Sequence, residues 1–259
     1  MNVLYNPLTL PNSARRRWRA FYSQTRAELT MTLRRGESLI LTLGIPIAIL
    51  AFFSTVKVLP TGKESPITFL TPGVLALAIM STSMVSLGIS TGFERSNGVL
   101  KRLGTTPLGR STLLAAKIQS ILVIELLQVV LLSVIGLALG WHLRTGGGIV
   151  IGILIALLAT IAFSGIGLAL AGLLTAETNL AAANGIYLVL LLLGGMVIPL
   201  SSLPSGLRIF SELLPAAALS QGLHYALGTA SAVPLHDWIV LGIWALLAPT
   251  VAAVSFKFE

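Results

Sequence analysis

One acid stands inside the long apolar runs of this 259-residue chain. It is Glu125, with Gln128 three residues on and therefore on the same face of a helix. A carboxylate among apolar residues is costly to bury, so it serves as a proton carrier, a contact on a transport path, or a hydrogen-bonded link between helices. The sequence leaves path and link both open for this pair. Other chemistry is sparsely supplied. His142, His224 and His236 lack metal-ligand spacing, and the absence of cysteine excludes thiolate metal sites and disulfides. No H-E-x-x-H and no histidine within an apolar run occurs, which leaves an intramembrane hydrolase without its base. There is no G-x-x-x-x-G-K-[ST] loop to cradle a nucleotide. The reading therefore has no catalytic residue and no metal site.

The scaffold that must carry these residues is set by composition. The chain is 55% hydrophobic and 10% charged, with mean hydropathy +0.91, against about 25% charged in soluble domains. This is an all-α membrane protein by composition. A spanning helix needs about 20 apolar residues, and six windows supply them: about Leu39–Val58, Thr68–Gly92, Leu113–Leu139, Ile149–Leu174, Ala182–Leu200 and Trp238–Ser255. Pro46 and Pro249 fall inside spans and should kink them. With the N-terminus inside, thirteen Lys and Arg lie on the inner side: Arg15, Arg16, Arg17, Arg19, Arg26, Arg34, Arg35, Arg95, Lys101, Arg102, Arg110, Lys117 and Lys257. Only Lys57, Lys63, Arg144 and Arg208 lie outside. The positive-inside rule then puts both termini in the cytoplasm, with Trp141 and Trp238 at outer span ends.

Three further segments organise the chain. Residues 1–14 read as a flexible cytoplasmic tail. Residues 15–36 read as an amphipathic helix in the inner headgroup layer, with Trp18, Phe21, Tyr22, Thr25, Leu29 and Leu33 at helical spacing. Residues 37–259 form the six-span domain. Between spans five and six, Pro199 to Leu227 is broken by Pro199, Pro204 and Pro215, which predicts short re-entrant helices in the outer leaflet. Gly88-x-x-x-Gly92 and Gly148-x-x-x-Gly152 permit close helix approach.

The most polar stretch within the greasy region is "FERSNGVLKRLGTTPLGRSTLLAAK", from Phe93 to Lys117. It resembles the cytoplasmic loop of type-2 ABC exporter permeases at Glu94, Arg95, Gly98, Leu100, Lys101, Leu103, Thr106, Pro107, Leu108 and Lys117. Ser96 departs from the pattern, since many members carry an acid there. "GGMVIPLSSLPSGLRIFSELLP", Gly194 to Pro215, is similar to the same family's segment after span five. The resemblance implies that the loop forms a short coupling helix docking on a separate ATPase subunit. Glu94, Arg95, Gly98, Val99, Leu100, Lys101, Leu103 and Pro107 are its coupling residues. The residue types suit docking: Val99, Leu100 and Leu103 can offer an apolar ridge, Lys101, Arg102 and Glu94 a charged rim, and Gly104 and Pro107 a helix stop. "LSQG", Leu219 to Gly222, superficially resembles an ABC signature motif but lies on the outer side and reads as coincidence.

The resemblance further implies that spans two and five line a central path between two permease halves. Met80, Ser83, Met84, Leu87, Asn184 and Tyr187 are then path candidates, with Glu125 and Gln128 beside them. The expected function is the membrane subunit of an ATP-driven exporter of amphipathic drugs, lipids or a hydrophobic natural product, of the kind that confers multidrug efflux and antibiotic resistance. It would sit in the bacterial inner membrane, with ABC ATPase subunits, a second permease half (homodimer or heterodimer) and membrane lipids as partners, and no nucleic acid. No cofactor is expected on this chain; ATP and Mg belong to the partner ATPase. The alternatives are a polysaccharide-exporting permease of the same family and a proton-coupled secondary transporter using Glu125. The latter class usually shows internal repeats and several intramembrane charges, which are not evident here.

Overall fold

Apolar runs of this length leave the backbone no partner but itself, and helices result. The computed structural model describes residues 13–34, 36–55, 66–104, 110–142, 148–228 and 232–255, and among them no strand occurs. The expected tail falls almost wholly outside the described residues. Helix α1 (Ser13–Arg34) is followed by α2 (Gly36–Thr55). One continuous rod then comprises α3 (Pro66–Met80), a π-helical stretch (Ser81–Ser86) and α4 (Leu87–Ser96). Next come the short α5 (Val99–Gly104), α6 (Arg110–Ala138), α7 (Gly148–Leu173) and α8 (Ala176–Leu193). A 3-10 turn (Leu200–Ser202), α9 (Ser205–Glu212), α10 (Pro215–Leu227) and α11 (Leu235–Ser255) complete the order.

Five helices among the described residues are long and apolar enough to cross a membrane: Pro66–Ser96, Thr112–Ala138, Gly148–Leu173, Ala176–Leu193 and Leu235–Ser255. The first expected span falls on α2, whose described apolar stretch, Leu43–Phe52, is shorter than a crossing. Span two is longer than its apolar window, because Phe93, Glu94 and Arg95 continue the helix. Span five is displaced from the expected Ala182–Leu200. It starts at Ala176, where Thr175 caps the helix by accepting from Thr178 N at 3.4 Å, and stops at Leu193, before Gly195 at φ +69°. Apolarity alone missed the polar first turn and ran through the glycine stop.

Helix α7 is the hub, packing against α11, α10 and α4. Close backbone approach makes this possible. A Cβ on Gly167 would lie 2.4 Å from Met84 O, and one on Gly88 would lie 2.9 Å from Gly167 O. Gly148 and Gly152 likewise meet α10, at Ala226 O and the Leu227 side chain, so both small-residue motifs lie at helix contacts. The main core gathers Leu70, Leu77, Met80, Met84, Phe163 and Leu219. A second core at the α5 end gathers Leu87, Leu100, Leu113, Ile121, Leu168 and Ala252. Trp141 is not an interfacial residue. It is buried in the main core, with Gly136 leaving room beside its ring.

At the opposite end, α9 and α10 are pinned to the bundle. His224 Nε2 donates to Phe69 O at 2.8 Å and Trp244 Nε1 to Leu213 O at 3.0 Å. Helix α10 is largely buried, while α9 exposes Leu207, Ile209 and Phe210.

Candidate functional site

The last turn of α4 begins the site. Arg95 uses Nη1 and Nη2 to hold the carbonyl end of α7 and the residue just past it, donating to Gly172 O and Leu174 O. These carbonyls have no partner within their own helix, and a cation there also meets the negative end of the helix dipole. Gly98 at φ +70° turns the chain sharply, with its amide donating to Arg95 O at 3.0 Å, and α5 starts at the next residue. A Cβ is disfavoured at that φ, which explains the glycine.

Glu94, one residue earlier, points the other way, into the bundle. Lys117 Nζ lies 2.6 Å from Glu94 Oε2 and 3.0 Å from the Glu28 carboxylate of α1. Lys117 is 1% exposed and both acids are buried. Gln24 Nε2 donates to Glu28 Oε1 at 2.9 Å. One ammonium thus ties together α1, α4 and α6. The pairing of Glu94 with Lys117 joins two residues of the quoted loop motif. Glu28 was missed by sequence reasoning, although Gln24 and Glu28 one turn apart, on the face opposite Trp18 and Tyr22, carried the signal. Trp18 and Tyr22 of α1 are exposed.

Helix α5 places its residues differently from expectation. Leu100 is wholly buried in the second core, so it is not part of an apolar ridge facing a partner. A six-residue helix lying along the bundle end must bury one face, and Leu100 is that face. Lys101 and Arg102 are exposed and Val99 is half-buried. Leu103 is described by its backbone only, and Pro107 lies outside the described residues.

Next to the ion cluster is a cavity of about 410 Å³. Glu28 and Thr32 of α1, Ile45 and Pro46 of α2, Ser120 and Ile121 of α6, and Asn184 and Tyr187 of α8 contribute to its walls. The rod formed by α3, the π stretch and α4 contributes Ser81, Val85, Ser86, Leu87, Ile89, Ser90 and Phe93. Of the path candidates, Leu87, Asn184 and Tyr187 line it. Met80, Ser83 and Met84 do not; they are buried in packing. A π stretch begins just after Met80 and contains Ser83 and Met84. Ser83 Oγ donates to Ile79 O at 2.5 Å and Ser81 Oγ to Ala78 O at 3.2 Å, loosening the turn by occupying its carbonyls. A wider π turn shifts the later residues around the helix axis, so a face counted at 3.6 residues per turn loses register.

Glu125 and Gln128 also lie outside the cavity. The Thr160 hydroxyl of α7 meets Glu125 Oε2, and Thr82 Oγ1 donates to Gln128 Oε1 at 2.9 Å. The pair therefore links α6 to α7 and to the π stretch.

The profile of the ABC-2 type transporter family matches residues 19–227 of this chain. The chain is also 25% identical over 201 residues to a Bacillus subtilis (strain 168) protein described as "Putative transport permease YvfS", covering 77% of this chain and 82% of that protein.

Proposed function

The chain belongs to the ABC-2 type transporter family, and from that premise we propose that it is the permease half of an exporter driven by separate ABC ATPase subunits. It is a multi-pass membrane protein and a transport permease subunit, and the family implies an ABC ATPase partner. Beyond that, the reading is as follows. Two permease halves, identical or similar, enclose a path in the bacterial inner membrane, with both termini cytoplasmic. ATP and Mg act on the ATPase subunits. The cargo is an amphipathic drug, a lipid or a hydrophobic natural product.

The observation that supports this best is the seating of α5. Its polar side, Lys101 and Arg102, is exposed, while its apolar side, Leu100, is buried in the permease. A push on α5 is passed to α4 through the turn at Gly98, to α7 through Arg95, and to α1 and α6 through Glu94 and Lys117. Docking here is electrostatic at its exposed rim, which makes it sensitive to salt.

The test is co-purification. The permease should capture the ABC ATPase encoded beside it, raise its rate of ATP hydrolysis in lipid, and raise it further with some members of an amphiphile panel. A permease that neither captures nor stimulates that ATPase refutes the reading.

A further inference from the structure

Among the described residues, the cavity beside α4 has one charged side chain in its wall, Glu28. We propose that it receives a cationic amphiphile, its ammonium-type head against the Glu28 carboxylate and its apolar body along the rod toward Ser81. This inference rests on the transport-permease reading and names the class of cargo.

The sign follows from where the cluster's charges lie. Lys117 is buried behind the wall and does not line the cavity. It is closer to Glu94, at 2.6 Å, than to Glu28, at 3.0 Å, so Glu28 shares its ammonium with a second carboxylate. An incoming cation completes that pairing, whereas an anion meets a carboxylate with no cation among the described wall residues to offset it.

The shape follows from depth. Glu28 lies on α1, whose Trp18 and Tyr22 face outward as in an interfacial helix. Phe93, near the end of α4, stands at the same end of the cavity. From Phe93 to Ser81 the lining rod rises roughly 18 Å at 1.5 Å per residue. Apolar Ile45, Val85, Ile89 and Ile121 line it with isolated hydroxyls between. A charged head at interfacial depth and an apolar body above it match this arrangement. The Phe93 ring, partly exposed, offers a further face to a cation.

The test uses the permease reconstituted in liposomes with its ATPase, and three fluorescent amphiphiles sharing one diphenylhexatriene body. Their heads are trimethylammonium, carboxylate or hydroxyl. ATP-dependent movement should favour trimethylammonium over carboxylate by about tenfold, the scale of one charge contact. Glu28→Gln should abolish that preference, read as the ratio between heads whatever happens to overall movement, and Glu28→Asp should keep it. A coupling or folding defect lowers all three probes together, so the ratio between heads isolates the contact. Equal movement of the three by wild type, or an unchanged ratio in Glu28→Gln, overturns the inference. So does movement of none while ATP hydrolysis is still stimulated, an outcome that leaves the permease reading standing. Loss of ATPase capture refutes that reading itself.

Discussion

Removing the Lys117 ammonium leaves Glu28 and Glu94 buried without the cation they share. Breaking a buried ion pair by removing one partner costs about 3–5 kcal/mol, whereas neutralising all members together costs far less. Lys117→Met should therefore lower the unfolding temperature of the purified permease clearly. The triple variant with Glu28→Gln and Glu94→Gln should regain most of the loss. A triple variant no better than the single one refutes the shared-cation account. Glu125 calls for the opposite expectation. The Thr160 hydroxyl lies beside both Glu125 Oε2 and, at 2.9 Å, Ala156 O, and its one hydrogen serves one of them. In Glu125→Gln the amide can donate to Thr160 Oγ1 and leave that hydrogen for Ala156 O. Assembly and most transport should persist. Normal assembly and ATP hydrolysis with complete loss of transport would instead assign Glu125 an obligatory charge or proton role.

The rod of α3, π stretch and α4 packs backbone to backbone on α7, and this contact has little tolerance. The Cβ of Gly167→Ala would sit 2.4 Å from Met84 O, a backbone atom that cannot move aside cheaply. Overpacking of this kind costs about 1–3 kcal/mol, so the variant should unfold earlier on heating, while Gly185→Ala, with nothing within 4 Å, should not. Helix α5 separates two roles in the same way. Leu100→Asp puts a charge into the second core and should cost both ATPase capture and protection of the loop from protease. Lys101→Glu should cost capture alone, leaving unfolding unchanged. Capture that survives both changes would remove α5 from the docking surface. The existence of α5 was legible through the resemblance of the loop, while the turn at Gly98 was not read from the sequence. The face of α5 was not legible: a six-residue helix is too short for periodicity to tell the core from a partner. The cavity wall was half legible. Leu87, Asn184 and Tyr187 line it, but on span two Ser81, Val85 and Ser86 face the cavity while Met80, Ser83 and Met84 pack inward, and no hydropathy count registers which face of an apolar helix its neighbours cover.

At the scale of the whole molecule, hydropathy identified where the long helices lie because the bilayer demands length and apolarity together. It could not place the boundaries that polar residues set, at Thr175 and at Glu94 and Arg95, nor the burial of Trp141. Crossing number is testable from parity alone. The chain has no cysteine, so single cysteines at exposed positions report sidedness cleanly with an impermeant thiol reagent. Ser96 and Ser205 are exposed and separated by α6, α7 and α8. These are three qualifying helices, and an odd number of crossings puts the two positions on opposite sides whatever α2 does. Ser23 is exposed on α1, and among the described residues α2 and the long rod lie between it and Ser96. If α2 crosses, Ser23 shares the side of Ser96; if it does not, Ser23 shares the side of Ser205. The concentration of Lys and Arg near α1 and α5 is the ground on which we propose the first arrangement, with that side cytoplasmic. Ser205→Cys should therefore label in intact cells, while Ser96→Cys and Ser23→Cys should label only after permeabilisation. Labelling of Ser96→Cys together with Ser205→Cys would overturn the triple crossing, and labelling of Ser23→Cys with Ser205→Cys would make α2 a helix that does not cross.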